Sequence, residues 1–173
     1  MLQKNNKYKV LKIFFDNTTT IFGLREISRK ASLALPSVKK YLDELASEGL
    51  IRKEVRKNTP QYIANRDSEK FKFYKILSIQ YELFESGVIE YIWKQVSPEA
   101  IILYGSSRKG ESIENSDIDL FVIGKKIEIN LDKFEKILNK KIHLIINNFY
   151  DVPKELRKNL INGILLKGYI NTK

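Results

Sequence analysis

The sequence predicts an α+β protein of two modules joined by helices, and three observations lead there. Residues 8–66 pass through three apolar patterns at helical spacing and then two short strands around a turn. Residues 67–98 are helical in character, interrupted by Gly87. Residues 100–124 read AIILYGSSRKGESIENSDIDLFVIG, two apolar strands flanking a turn rich in Gly and Ser.

In the first module, Tyr8 to Phe15 sets Val10, Leu11, Phe14 and Phe15 on one helical face. Leu24 to Ala31 is a short second helix, joined through Ser32-Leu33-Ala34-Leu35 to a third. Pro36 and Ser37 suit the first turn of that third helix, Val38, Tyr41, Leu42 and Leu45 give it an apolar stripe, and Gly49 ends it. Tyr41 lies in the stripe and is expected in the core. Leu50 to Lys57 and Gln61 to Asn65 then read as strands around Asn58-Thr59-Pro60, with Pro60 at a strand start, where a missing donor does least harm.

From Asp67 to Val96, apolar residues such as Phe71, Phe73, Leu77 and Phe84 spread around more than one helical face. A helix of that kind needs cover on several sides, from the modules or from a second copy of itself. Trp93, in the helix after Gly87, is expected as core.

The second module begins with Ala100 to Tyr104, a short buried strand with a turn signal behind it. Gly105 lets backbone approach a ligand closely, and Ser106 offers a hydroxyl where unpaired N–H groups favour a phosphate. Asp117 and Asp119 are two apart on the next strand, so both carboxylates emerge on one face while Ile118 points away. Two carboxylates held together repel, and a cation relieves the repulsion. Oxygen ligands suit Mg²⁺ (or Mn²⁺), shared with nucleotide phosphates. Lys141 to Ile146 is a further strand, Pro153 to Ile161 a helix, and Ile164 to Ile170 a last strand or short hairpin holding Gly168.

Composition removes whole classes. Among 173 residues there is no cysteine, which excludes disulfides and thiolate metal sites, and one histidine, which excludes a His-rich cluster. No segment is apolar for long enough to span a membrane, and the charged N-terminus lacks a signal-peptide pattern, so the expected location is the cytoplasm with no membrane partner. The net charge is +10 and unevenly placed: residues 1–66 carry 14 Lys and Arg against 6 Asp and Glu. Such a basic first third points to nucleic acid.

Gly105, Ser106, Gly110, Ser116, Asp117, Asp119 and Leu120 together resemble the nucleotidyltransferase superfamily typified by DNA polymerase β, and most closely its minimal, single-domain branch. The first module resembles the winged helix-turn-helix of ArsR- and MarR-like regulators in bacteria and archaea. Leu24-Arg25-Glu26-Ile27, Pro36 to Leu42, Leu45, Glu48-Gly49-Leu50-Ile51 and Gln61 to Asn65 carry that likeness. The resemblances imply a winged helix-turn-helix over 1–66, a helical linker or dimerisation segment over 67–98, and a minimal nucleotidyltransferase-like domain, a mixed sheet with helices, over 99–173. They also imply roles. Gly105, Ser106 and Ser116 would meet an NTP, expected to be ATP; Asp117 and Asp119 would hold the metal and do the catalytic work. Ser37, Lys39 and Lys40 would meet DNA from the third helix, with Arg52, Lys53, Arg56 and Lys57 on the wing neutralising phosphates.

Enzymes of this superfamily generally add a third carboxylate from a later strand. Here His143 occupies that slot on the strand Lys141 to Ile146, while Glu128, Asp132 and Asp151 lie elsewhere. The expectation is therefore a DNA-binding regulator, in a possible homodimer, whose nucleotidyltransferase-like domain binds Mg²⁺–NTP. The alternative is an active enzyme transferring NMP to a protein, small molecule or nucleic acid, including an antitoxin-like role toward a toxin-like protein partner.

Overall fold

The computed structural model of the chain describes residues 5–56 and 58–171. The chain divides into two compact units, residues 1–75 and 76–173.

The N-terminal unit opens with α1 (Asn6–Asp16), whose Tyr8 N–H is accepted by the side chain of Asn5. A two-residue strand β1 (Phe22–Gly23) leads into α2 (Leu24–Ala31) and α3 (Leu35–Ser47). The turn between α2 and α3 is tight. Leu33 N–H reaches back to the Ser28 carbonyl at 3.1 Å, and the Ser28 hydroxyl returns the contact to the Leu33 carbonyl at 2.6 Å. At the end of α3, Leu50 N–H bonds the Leu45 carbonyl, and the chain turns into β2 (Ile51–Arg56) and β3 (Thr59–Ala64). These strands pair antiparallel, Val55 opposite Pro60, and β1 joins on the far side of β3 to give the order β1-β3-β2.

One core holds this unit together. Val10, Phe14, Ile27, Val38, Leu42, Leu45, Ile51 and Tyr62 are buried, with Tyr41 packed half-buried against them. Phe14 meets Phe22 edge-on, ring centroids 5.8 Å apart, so the short β1 is anchored by a side chain as much as by its ladder. Phe71, from the start of α4 (Glu69–Glu85), is fully buried beside Phe15.

The C-terminal unit is a four-stranded mixed sheet between helices. Its strands are β4 (Ala100–Leu103), β5 (Ile118–Ile123), β6 (Ile142–Asn147) and β7 (Ile164–Gly168), in the order β6-β5-β4-β7. β5 and β6 run parallel through a crossover that contains α7 (Asp132–Leu138), and the other pairs are antiparallel. Alternate residues of β4 and β5 feed two separate cores. Ile101, Leu103, Leu120 and Val122 pack with α5 (Val88–Val96) and with Phe134 and Leu138 of α7. Ala100, Ile102, Phe121 and Ile123 pack on the other face with Phe149, Val152 and Leu160, the last from α8 (Lys154–Ile161). A strand buried on both faces has no polar side to show, which explains the unbroken apolar runs in the sequence.

Trp93 is half-buried against the first of these cores, with the Lys167 ammonium 4.8 Å from the ring centroid. At the far end of β7, Gly168 has φ +88°, and a Cβ there would lie 2.0 Å from the Glu99 carbonyl oxygen. Glycine at 168 is thus what allows the last strand to close onto the start of β4. No described helix is long and apolar enough to cross a membrane.

Candidate functional site

β4 ends in the fully buried core, and the chain then reverses through α6 (Gly105–Lys109), a five-residue helix capped by Gly110. The Tyr104 N–H bonds the Asp119 carbonyl at 3.1 Å, so the mouth of β4 and the start of β5 are clamped side by side. Burial pushes the Tyr104 phenol above its usual range, and the nearby Asp119 charge adds to the effect.

Gly105 takes φ +69°, and a Cβ placed on it would fall 2.1 Å from Asp119 Oδ2. The Asp119 carboxylate therefore sits over the bare backbone of residue 105. No larger residue fits there with the carboxylate in place. Asp117, just ahead of β5, is exposed, while Asp119 is half-buried. The Ser116 hydroxyl accepts the Ile113 N–H at 2.9 Å and so shapes the loop that delivers Asp117. Ser106 is half-buried in the first turn of α6, its carbonyl taken by Gly110 and Glu111.

The parallel register places His143 directly beside Asp119. His143 Nδ1 lies 3.1 Å from Asp119 Oδ1, and the His143 side chain is 56% exposed against 24% for Asp119. The start of β6 is held from α7. Glu135 accepts the Ile142 N–H at 2.9 Å and the Lys141 ammonium at 2.6 Å. Those two contacts, the backbone one larger, hold the Glu135 carboxyl below its ordinary value. Glu135 thus fixes the strand end from which His143 projects, a role with no motif to reveal it in the sequence.

Among the described residues no three His, Cys, Asp or Glu side chains converge as a ready metal cluster. The donors at hand are two carboxylates two residues apart and an imidazole in contact with one of them. That set fits a divalent cation as part of a shell whose remaining positions go to phosphate oxygens and water, as Mg²⁺ commonly binds. It does not form an all-protein cage.

The N-terminal unit presents its basic side chains in two ways. Ser37, Lys39 and Lys40 on α3 are exposed, as are Arg25 and Arg29 on α2; Arg25 stands in the Leu24-Arg25-Glu26-Ile27 pattern with no contact assigned to it, and Arg29 stands in none. The strand cations are partly matched by acids: Arg52 lies 3.7 Å from Asp67, Lys53 3.6 Å from Asp43, and Arg56 3.0 Å from Glu54. Exposed pairs of this kind are weak, and phosphate can displace them. Lys57 lies outside the described residues.

Residues 87–169 match the family model described as polymerase beta, nucleotidyltransferase. The C-terminal unit therefore carries a nucleotidyltransferase-like domain of the polymerase-β kind, and the match takes in α5 as well as the sheet. A crystal structure of a proposed nucleotidyltransferase from Sulfolobus solfataricus is similar over 57% of this chain and 92% of that one. Its identity is 16% and its TM-score 0.34, a likeness too remote to bear on the site. No curated protein gives a match.

Proposed function

We propose that this chain is a DNA-binding regulator whose nucleotidyltransferase-like domain binds a nucleoside triphosphate, ATP in first place, together with a divalent cation. The observation that carries the reading is the register of Asp119 with His143. The neighbouring strand offers an imidazole where a transfer enzyme of this superfamily is expected to offer a carboxylate. Phosphoryl transfer depends on charge stabilisation and on a base for the attacking hydroxyl. A site with two acids keeps the means to bind metal and phosphate while losing part of that machinery.

The N-terminal unit is read as a winged helix-turn-helix, with α3 entering the major groove and the β2–β3 hairpin along the backbone. Support comes from the element order, from the exposed Ser37, Lys39 and Lys40, and from the basic balance of residues 1–66. Pairing of two copies through the helical segment is part of the proposal, since paired half-sites suit a dimeric regulator. Nucleotide would act on DNA binding only through different affinities for the competent and incompetent states.

The second reading, an active nucleotidyltransferase, draws on the same pair. An imidazole oriented by a carboxylate is able to accept a proton from an acceptor hydroxyl. One experiment separates the two. NTPs labelled at the α-phosphate are incubated with the protein, divalent metal and source-cell lysate, beside Asp117→Asn/Asp119→Asn, with nucleotide binding measured in parallel. Metal-dependent ATP binding by wild type, lost in the double variant and unaccompanied by label transfer, is the expected result. Label moved to a macromolecule or metabolite by wild type alone would establish the enzyme. ATP binding equal in both proteins would remove Asp117 and Asp119 from the site.

A further inference from the structure

We propose that the site selects a cation that accepts nitrogen ligands, Mn²⁺ in the first instance, over Mg²⁺, and that His143 is the selecting ligand. The inference rests on the nucleotide-site reading above and concerns which metal that site takes. Asp119 Oδ1 and His143 Nδ1 stand 3.1 Å apart on adjacent parallel strands. That contact is a hydrogen bond. Because metal–ligand bonds of about 2.1–2.2 Å at right angles also set two donor atoms about 3.0 Å apart, a cation can replace the proton between the two with little movement of either strand.

The scaffold holds that spacing. Asp119 is fixed by its backbone clamp to Tyr104 and by the close approach of Gly105. Glu135 fixes the strand end that carries His143. The imidazole is 56% exposed, so a ligand reaches it without opening the core.

Donor chemistry then decides the ion. Mg²⁺ is hard and takes oxygen; Mn²⁺ shares its preference for carboxylate, phosphate and water but, as a first-row transition ion, takes an imidazole nitrogen more readily. A carboxylate at 143 would complete an all-oxygen site for Mg²⁺. Histidine at 143 exchanges one hard donor for a softer one at the same place. Nucleotide phosphates and water supply the remaining oxygens.

His143 is the single histidine of the chain, which makes the test direct. The full-length protein is loaded with a non-hydrolysable ATP analogue and Mn²⁺ and studied by pulsed EPR, once with natural histidine and once with ¹⁵N-histidine. A nitrogen coupling that changes isotope with the histidine label is expected. In parallel, Mn²⁺ and Mg²⁺ affinities in the ternary complex are measured for wild type and His143→Asp. The Mn²⁺-over-Mg²⁺ preference should fall on the order of tenfold in the variant.

The wild-type coupling stands whatever the variant does, and thermal unfolding checks that His143→Asp is folded. Nucleotide-dependent Mn²⁺ binding without a label-sensitive coupling overturns the proposal and leaves the nucleotide reading intact. So does an unchanged preference in folded His143→Asp. Failure of either ion to bind with nucleotide overturns both.

Discussion

Replacing Gly105 by alanine tests the heart of the site. At φ +69° an L-residue is strained by roughly 1–2 kcal/mol, a cost independent of anything nearby. The added Cβ also meets Asp119 Oδ2 at 2.1 Å, well inside contact distance. That atom is the far end of a side chain, so the carboxylate can rotate away and the fold need not break. Backbone strain alone should lower the melting temperature of the C-terminal unit by roughly 4–8 °C for each kcal/mol. The effect on binding should be larger in kind, because Asp119 leaves both His143 and the position over the backbone of residue 105. Metal-dependent ATP binding, followed by calorimetry beside a thermal melt of the same sample, should fall at least on the order of tenfold, or about 1.4 kcal/mol. A folded Gly105→Ala protein binding nucleotide and metal as wild type does would refute the reasoning. The Gly105–Asp119 approach would then be a packing detail and the ligand would lie elsewhere.

Two further outcomes concern the N-terminal unit. Lys39→Ala with Lys40→Ala should weaken DNA binding across sequences and reduce the slope of log K against log salt by up to about 1.8, two phosphate contacts at ~0.9 each; an unchanged slope would take α3 off the DNA backbone. Lys7 bonds Glu48 and also pairs with Glu44 at 3.0 Å, and the Lys7 hydrogen bond is the main cause that holds the Glu48 carboxyl below its ordinary value. A depressed acid stabilises the fold above its unfolded pKa and loses that contribution as pH falls through the folded pKa. Melts across pH 3–6 should therefore show wild type losing stability on acidification more steeply than Glu48→Gln, and parallel curves would show that the pair contributes nothing.

Much of this architecture is legible from residue patterns because the burial is extreme. β4 and the part of β5 beyond Asp119 are inaccessible on both faces, and an unbroken apolar run of that length between turn residues marks a strand covered on both sides. α2 is bounded by the same residues in sequence and structure, since the Ser32 turn and the switch to polar positions leave little choice. β1 is not legible: two residues carry no period, and Phe22 becomes a strand only by lying opposite Tyr62, forty positions on. α7 is equally hidden, seven residues without a side-chain cap, shaped by Phe134 and Leu138 finding the sheet.

Within the site, the Gly-Ser turn and the paired aspartates announce themselves by spacing. The contact of Asp119 with His143 was readable as a position along a strand, but its distance depends on a parallel register that no local signal sets. The acids facing Arg52 and Lys53 were invisible for a related reason: Asp67 comes from the turn before α4 and Asp43 from α3, whereas Glu54 shares a strand with Arg56.

Gly105, Asp119 and His143 belong to three stretches of chain that come together only after the β5–α7–β6 crossover has docked. An unfolded polypeptide has no such constellation, so whatever binds it binds the folded unit alone. A ligand at a hundred times its dissociation constant would add about 2.7 kcal/mol to the stability of that unit by mass action. In a cell whose triphosphate and metal pools fall, the same protein would spend more time open to proteases. The abundance of the protein, and not only its conformation, would then follow the supply of its ligand.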